Sequence, residues 1–526
     1  MGQFVNPDNT AFKGALKDKI YVDKSGLINF TNEILETPSA FICNSRPRRF
    51  GKSMTANMLS AYYSKGADSS GLFSSLKIGS SPDFEKYLNK YDVIHLDIQE
   101  CIDPAGGPDN VVSYIKKEVI RELGRYYPEL VTERDSSLFA VLSRIFDSTG
   151  NRFVIIVDEW DVLIRDDANN QRVQEEYISF LRSIFKGTQA AKYVALAYLT
   201  GILPIIREKT QSALNNFTEY TILDAGPFAE YIGFTEDEVR TLSLLYKADY
   251  KEVKRWYDGY LVDGLNVYNT RAVVSAMLSG KYKSYWSNTS SYKAVLPLIN
   301  MNYEGLKEDI LLTVAGGEVE VDTTEFQNDV VSFASKDDVL TYLIHLGYLG
   351  YNEKKRTAFI PNEEIRLEMN SAVKKRTWHE SLVLLEESDH ILEATINMEG
   401  DRVAEGIERI HDKYIPSVKY NDENSLSSVL VVAYLSSIDH YYNPRRESPS
   451  GKGFVDFVFI PRKENVREYP ALVIELKWNK DAVSAVDQIK EKKAPDSIKD
   501  YTDNILLVGI NYDRKTKKHE CRIEKL

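Results

Sequence analysis

The sequence predicts a multidomain α/β protein, with a parallel-sheet unit over residues 1–230, a helical lid with a winged-helix-like element over 231–410, and a second, independent α/β unit over 411–526. Three observations carry this reading. Up to residue 230, the β-rich runs SAFICN (39–44), DVIHLDI (92–98), RFVIIVDEW (152–160), YVALAYLTG (193–201) and EYTIL (219–223) alternate with longer amphipathic stretches, the pattern of parallel strands joined by crossover helices. From 231 to 410 helical periodicity dominates, broken by WYDGYLVDGLNVYN (256–269) and by 336–365, which reads as helix, Gly-turn, strand, strand. The last stretch reads as helix 424–438, strand FVDFVFIP (454–461), strand PALVIELKW (470–478), helix 481–494 and strand DNILLVGINY (503–512).

Length and composition agree with that division. At roughly 100–200 residues per domain, the 526 residues call for three or four domains. Hydrophobic residues at 43% and charged ones at 27% exclude disordered, collagenous and disulfide-scaffold classes. A net charge of −12 argues against a globally basic nucleic-acid coat and directs the search to local basic surfaces. Residues 451–526 hold 16 Lys and Arg against 13 Asp and Glu, a locally positive balance. Cys43, Cys101 and Cys521 lie far apart and fit reduced thiols better than a disulfide framework. The polar start MGQFVNPDNT resembles no signal peptide, and the apolar stretch Val194–Ile206 is too short to span a bilayer. A soluble, cytoplasmic protein without membrane contact is expected.

The segment FICNSRPRRFGKSMTANMLSAYY runs from an apolar strand through a turn ending in Gly51, Lys52 and Ser53 into a helix, the order a phosphate-binding loop requires. A triphosphate needs backbone N–H donors at a helix start, a lysine for the β/γ oxygens and a hydroxyl for Mg²⁺. Lys52 and Ser53 supply the last two, although Arg46 stands where such loops carry their first glycine. Arg48 and Arg49 are placed to neutralise phosphate charge. About a hundred residues on, Asp158 and Glu159 end a buried strand and suit the two acidic roles of ATP hydrolysis, Asp158 for Mg²⁺ and Glu159 for orienting water. Thr200, at the end of YVALAYLTG, is a candidate sensor of the γ-phosphate. Arg207 follows that strand, but nothing in the sequence says where it points, and the arginine finger is left unassigned.

In the last unit, Asp456 lies on one strand and Glu475 and Lys477 on the next. Residues two apart on a strand share a face, so Glu475 and Lys477 point together, and a hairpin brings Asp456 alongside. Two carboxylates and a lysine on one face match a hydrolytic Mg²⁺ site. Glu475 lies inside the apolar run VIEL, which disfavours a plain surface ion pair. Gln488, with Asp487, Lys490, Lys492 and Lys493, reads as a solvated helix face with an optional backbone-contacting role, and Glu423 and Glu447 are secondary metal-site candidates.

Taken together, YVDKSGLI (21–28), SRPRRFGKS (45–53), VDEWD (157–161), LTGILPI (199–205), NNFTEY (215–220), GFTEDEV (233–239), WYDGY (256–260), GYL (347–349) with IPNEEI (360–365), and GKGFVDFVF with VIELKW resemble the bacterial family that fuses an AAA-ATPase-like domain to a C-terminal nuclease-like domain of the PD-(D/E)XK superfamily. That family writes RPRRFGKS itself, so Arg46 becomes a family trait. The resemblance implies a P-loop ATPase sheet and a restriction-endonuclease-like C-terminal domain. It further implies nucleotide contact at Gly51, Lys52 and Ser53, roles in Mg²⁺ binding and hydrolysis at Asp158 and Glu159, and a nuclease-type site at Asp456, Glu475 and Lys477. Trp160 stands where the family mostly has Tyr, and the Arg common near Gly453 or Phe454 is missing. The aromatics of WYDGY, with Tyr268, Tyr285 and Trp286, are expected to pack the lid core. The expected function is an ATPase whose nucleotide state gates metal-dependent cleavage of DNA or RNA. The alternatives are a nucleotide-driven switch whose nuclease-like domain binds without cutting, and a fold in which ATP is only a structural ligand. An ion pair closing the Asp456/Glu475/Lys477 face would favour the switch. Oligomeric state stays open.

Overall fold

A computed structural model describes the chain except residues 1, 167–169, 206, 209–210, 213, 287–291, 302, 325, 327–332, 375–378, 415–422, 451–452, 493–497 and 499–503. Two compact units make it up: Met1–Lys254 with Asp258–Lys281 and Asp322–Tyr351, and Arg255–Tyr257 with Tyr282–Val321 and Asn352–Leu526. No helix among the described residues is long and apolar enough to cross a membrane.

The first unit is built on strands β1 (Phe41–Ser45), β2 (Asp92–Asp97), β3 (Phe153–Asp158) and β4 (Val194–Gly201). A two-stranded ladder, β5 (Arg207–Glu208) and β6 (Gln211–Ser212), precedes β7 (Thr218–Tyr220). The main sheet has the order β2-β3-β4-β1-β7, and every pairing is parallel. β1, β3 and β4 are buried along their whole length, which is why they read as continuous apolar runs rather than alternating ones. The outer edge of β2 is covered by the N-terminal segment: Asn6 N donates to Val93 O at 2.8 Å and His95 N to Phe4 O at 2.9 Å. The buried Glu122 carboxylate holds that segment by accepting from the amides of Gln3, Phe4 and Val5 at 2.8–2.9 Å.

The stretch read as interrupting the lid forms a small antiparallel sheet: β8 (Phe234–Thr235), then β9 (Tyr260–Val262) and β10 (Leu265–Tyr268), in the order β8-β10-β9. The motif GFTEDEV starts a helix, with a capping box between Thr235 and Glu238. Glu238 also binds Lys24 of YVDKS at 2.6 Å, so these two motifs form a structural seam within the first unit. The expected helix, Gly-turn, strand, strand is present as helix Lys336–Leu346, Gly347 with φ 85°, β12 (Gly350–Asn352) and β13 (Thr357–Phe359). It is preceded by β11 (Glu318–Glu320), which pairs with β13 within the second unit.

The second unit carries β14 (Arg445–Ser450), β15 (Gly453–Phe459), β16 (Ala471–Trp478), β17 (Ile505–Asp513) and β18 (Lys518–Lys525), in that spatial order. Only β16 and β17 are parallel, and helix Ala482–Lys492 makes the crossover between them. The sequence reading missed the two outer strands. RRESPS and KHECRIEK carry too few aliphatic residues to show as strands and gain their place by pairing at the sheet edges.

Candidate functional site

The first site forms where the parallel strands end. β1 delivers the chain into the turn 46–51, where Arg49 (φ 70°) and Gly51 (φ 92°) both take left-handed backbone, and helix Lys52–Tyr63 begins immediately after. Thr270 Oγ1 donates to Arg49 O at 2.8 Å, and Phe50 packs edge-on against Tyr260 with centroids 5.1 Å apart, so the β9–β10 hairpin and the helix that follows it, Thr270–Ser279, hold the turn. Tyr260 in turn donates to Gly347 O at 2.8 Å. This gives Tyr260 of WYDGY a specific task beyond general packing, and Trp256, Tyr257, Tyr260, Tyr268, Tyr285 and Trp286 are all buried, as expected.

Lys52 is buried, with its ammonium donating to Pro47 O at 3.0 Å. Burial lowers its pKa, opposed by Glu159, Asp158 and Asp161. Asp158, Thr200 and Asn44 sit side by side on β3, β4 and β1, since Asp158 pairs with Thr200 and Asn44 pairs with Thr200 in the parallel registers. Burial pushes the Asp158 carboxyl up to about 6, against the pull of a hydrogen bond from Ser53. Asp97, opposite Asp158 on β2, is likewise pushed up to about 6 by burial. Thr200 is buried beside the Tyr198 phenol. The strand ends therefore bring Lys52, Ser53, Asp158, Glu159 and Thr200 into one cluster. Arg48 is exposed and Arg49 half-buried on the same turn.

Arg46 takes no part in this cluster through its guanidinium. It is fully buried and points along the sheet end, where Nη1 donates to Ser45 O at 2.9 Å and to Tyr220 O at 3.3 Å. Burial lowers its pKa to about 10, with Asp263, Tyr198 and Asp224 opposing. The arginine at the first-glycine position thus ties β1 to β7. The side chain of Arg207 lies outside the described residues.

Sequence reasoning missed Arg165. It ends the short helix Val162–Arg165, buried except for a small fraction, and reaches three carboxylates: Asp161 at 3.0 Å, Asp166 at 2.8 Å and Glu159 at 3.4 Å. Burial works against its charge, but Asp161, Asp166 and Glu159 together hold the guanidinium firmly protonated. Asp161 Oδ2 also accepts from Ile202 N at 3.2 Å and Leu203 N at 3.0 Å, so VDEWD and LTGILPI brace each other. Gly201 is required there, because a Cβ would lie 2.4 Å from Asp161 Oδ1 and 2.7 Å from Trp160 Cδ1. Glu159 itself has φ 49°, a strained conformation for a side-chain-bearing residue. The i,i+4 spacing of Asp161 and Arg165 was the available signal.

The second site lies on β15 and β16. Phe457 pairs with Ile474, which sets Asp456 beside Glu475, and Asp456 Oδ2 accepts from Leu476 N at 2.6 Å. Lys477 Nζ lies 3.0 Å from Glu475 Oε1, so the two side chains share a face. Both are buried because that face is not open: Val473 of the same face packs in one core with Val486 and Ile489 of the crossover helix. The same helix corrects the reading of Gln488 as part of a solvated face, since its amide donates to Glu475 Oε1. Lys490 does point outward, pairing with Glu524 at 2.6 Å. The side chains of Glu423, Glu447, Phe454, Lys492 and Lys493 lie outside the described residues. Among the described residues, no group of three or more His, Cys, Asp or Glu converges on a metal position, and the donors here are two carboxylates.

Known proteins resemble both parts of the chain. An uncharacterized protein in the vnfD 5' region of Azotobacter chroococcum mcd 1 is 21% identical over 95% of this chain and 94% of its own length. A solved structure, the Aeropyrum pernix ORC2 protein in ADPNP-ADP complexes, covers 68% of this chain and 96% of that one at 11% identity and a TM-score of 0.30, too low to add to the fold already described. Residues 12–210 match the family model of a predicted AAA-ATPase, and residues 421–521 match that of the PD-(D/E)XK nuclease superfamily. The chain therefore joins a predicted AAA-ATPase domain to a PD-(D/E)XK nuclease superfamily domain.

Proposed function

We propose that this protein binds and hydrolyses ATP at the end of its parallel sheet and couples nucleotide state to metal-dependent cleavage of DNA or RNA by its C-terminal unit. The observation that carries the first half is the convergence of a helix N-terminus, Lys52, Ser53, Asp158 and Glu159 at adjacent strand ends. Lys52 exchanges the Pro47 carbonyl for β/γ-phosphate oxygens, and the helix start adds backbone donors. Gly51 permits the close approach of backbone to phosphate, Arg49 adds positive charge, and Thr200 faces the γ-phosphate position. Glu159 orients the attacking water and accepts its proton, while Arg165, bonded to Glu159 Oε2, fixes the carboxylate's direction.

Ser53 with Asp158, and Asp456 with Glu475, are hard oxygen donors of the kind Mg²⁺ takes, one or two carboxylates completed by substrate phosphates. Bound Mg²⁺ supplies charge neutralisation on the phosphates and, at the second site, an acidified water. There, Lys477 stabilises charge on the scissile phosphate and Gln488 orients Glu475. The division into an ATPase domain (1–230), a lid region (231–410) and a nuclease-like domain (411–526) belongs to the same proposal, as does action in the cytoplasm.

A second reading, a nucleotide-driven switch whose C-terminal unit grips nucleic acid or a protein without cutting, is favoured by one observation: the 3.0 Å pair between Lys477 and Glu475 closes the face on itself. The deciding experiment is cleavage of labelled linear and plasmid DNA and of RNA, with Mg²⁺ or Mn²⁺, with and without ATP, comparing wild type with Lys477→Ala and Lys52→Ala. Cutting that needs Lys477 and responds to ATP through Lys52 supports the gated nuclease. ATP hydrolysis with no cutting of any substrate selects the switch.

A further inference from the structure

The turn between β17 and β18 carries an unusual charge arrangement. Arg514, Lys515, Lys517 and Lys518 are all exposed within DRKTKK, and Lys480, exposed in the turn after β16, stands next to them. The placement is rigid. Asn511 binds Lys480 through both its backbone groups, accepting from the N at 3.0 Å and donating to the O at 3.1 Å. Asn479 Oδ1 accepts from Arg514 N at 2.8 Å, and Asp513 Oδ1 accepts from the amides of Lys515 and Thr516 at 2.7 and 3.0 Å.

None of these five side chains forms an ion pair among the described residues. Three other exposed cations of the second unit are paired: Lys490 with Glu524 at 2.6 Å, Arg522 with Glu524 at 3.2 Å and Lys355 with Glu318 at 3.3 Å. Of the nearby acids, Asp513 is committed to the turn amides and Asp481 to Ser484 N at 2.7 Å, Glu520 is exposed on β18, and Asp412 and Glu408 of helix Gly400–Tyr414 act on the neighbouring Tyr512. Five cations on a pinned turn repel one another, and relieving that repulsion takes a polyanion rather than a single small anion.

The position of the turn identifies the polyanion. Asn511 lies opposite Lys477 in the parallel register, so Arg514 follows three residues later, roughly 10 Å further along the sheet at about 3.3 Å per residue. We infer that the β17–β18 turn with Lys480 is a docking surface for the phosphate backbone of a nucleic acid, leading the strand onto the Asp456, Glu475 and Lys477 face. This rests on the reading of the C-terminal unit as a nucleic-acid-handling domain. The surface touches phosphates and not bases, so it contributes affinity and path without sequence preference.

The test is fluorescence anisotropy of labelled single- and double-stranded DNA oligonucleotides with the full-length chain across a salt series. Wild type is compared with K515E/K517E/K518E and with K13E/K17E/K19E, which makes the same charge change at exposed lysines of the first unit. The turn variant is expected to bind on the order of tenfold or more weakly at low salt, with the log–log salt slope reduced by roughly 0.7–0.9 for each phosphate no longer neutralised, while the control stays near wild type. Equal affinity and slope in wild type and turn variant would overturn the docking surface and leave the domain reading standing. An equal loss in the control would overturn it as a mere net-charge effect. Absence of binding by wild type would overturn both.

Discussion

The two sites handle charge in opposite ways. At the end of the parallel sheet, Asp158, Glu159 and Asp161 surround Lys52, Asp97 lies opposite Asp158, and burial raises the carboxyls of Asp97 and Asp158 to about 6 while lowering Lys52. On β15 and β16 a single lysine and a glutamine amide both donate to the same oxygen of Glu475, Oε1. Titratable groups held away from their ordinary range mark a site whose charges suit a highly charged ligand. A self-paired carboxylate marks one that must be opened before it can bind anything. The contrast separates a cluster of buried carboxyls around a lysine from a carboxylate already held by an ion pair.

The sharpest way to break the comparison is Glu159→Gln. If the first site is hydrolytic, turnover should fall about 10³-fold with ATP affinity kept, measured by phosphate release and by calorimetric titration. A parallel loss of affinity would mean that Glu159 binds rather than turns over the nucleotide.

Next in size is the buried pair of the second site. Lys477→Met leaves the Glu475 carboxylate without its cation and should lower the stability of the second unit by about 3 kcal/mol, with the added change Glu475→Leu restoring most of it. Additive losses in denaturant unfolding would show that the pair is not coupled.

Lys52→Ala should weaken ATP binding by about 100-fold, roughly 2.7 kcal/mol, because the phosphates lose a buried cation. Unchanged affinity would remove the turn 46–53 from the site.

A smaller effect compares the units through buried histidines. Burial lowers His345 in the first unit and His519 in the second to about 3. Between pH 6.5 and that value the unfolded chain binds the proton and the folded chain does not, so stability is complete above pH 6.5 and falls with acid. His345 alone should cost about 2 kcal/mol at pH 5, and His345→Gln should flatten the melting curve between pH 7 and 5. An unchanged acid slope would show that His345 is protonated in the folded protein.

The smallest expected effect is on Arg165. Arg165→Lys should lower turnover by about tenfold, yet add nothing further in the Glu159→Gln background, since it acts through Glu159. Additive losses would make Arg165 a purely structural residue.

The parallel strands were legible because they are buried on both faces and read as unbroken apolar runs, and the turn 46–53 was legible because its Gly-Lys-Ser chemistry is contiguous in sequence. β14 and β18 were not legible, because an edge strand such as KHECRIEK alternates His519 and Ile523 with charges and owes its conformation to its partner. Within the sites, Lys52, Ser53, Asp158 and Glu159 could be read from motifs. Gln488 could not, because its direction depends on the crossover helix covering the Glu475 face. Arg46 was visible as a departure from the glycine pattern, but only the pairing of β1 with β7 shows that its guanidinium serves the sheet.

The missing side chain at Gly201 has a consequence for how such chains change over time. The indole of Trp160 and the carboxylate of Asp161 occupy the volume that any methyl at 201 would need. DEWD and LTG, forty residues apart, are therefore sterically coupled: the side chains of one fill the space above the backbone of the other. A larger residue at 201 would need both Trp160 and Asp161 to give way, and moving Asp161 would also break its bonds to the amides of Ile202 and Leu203.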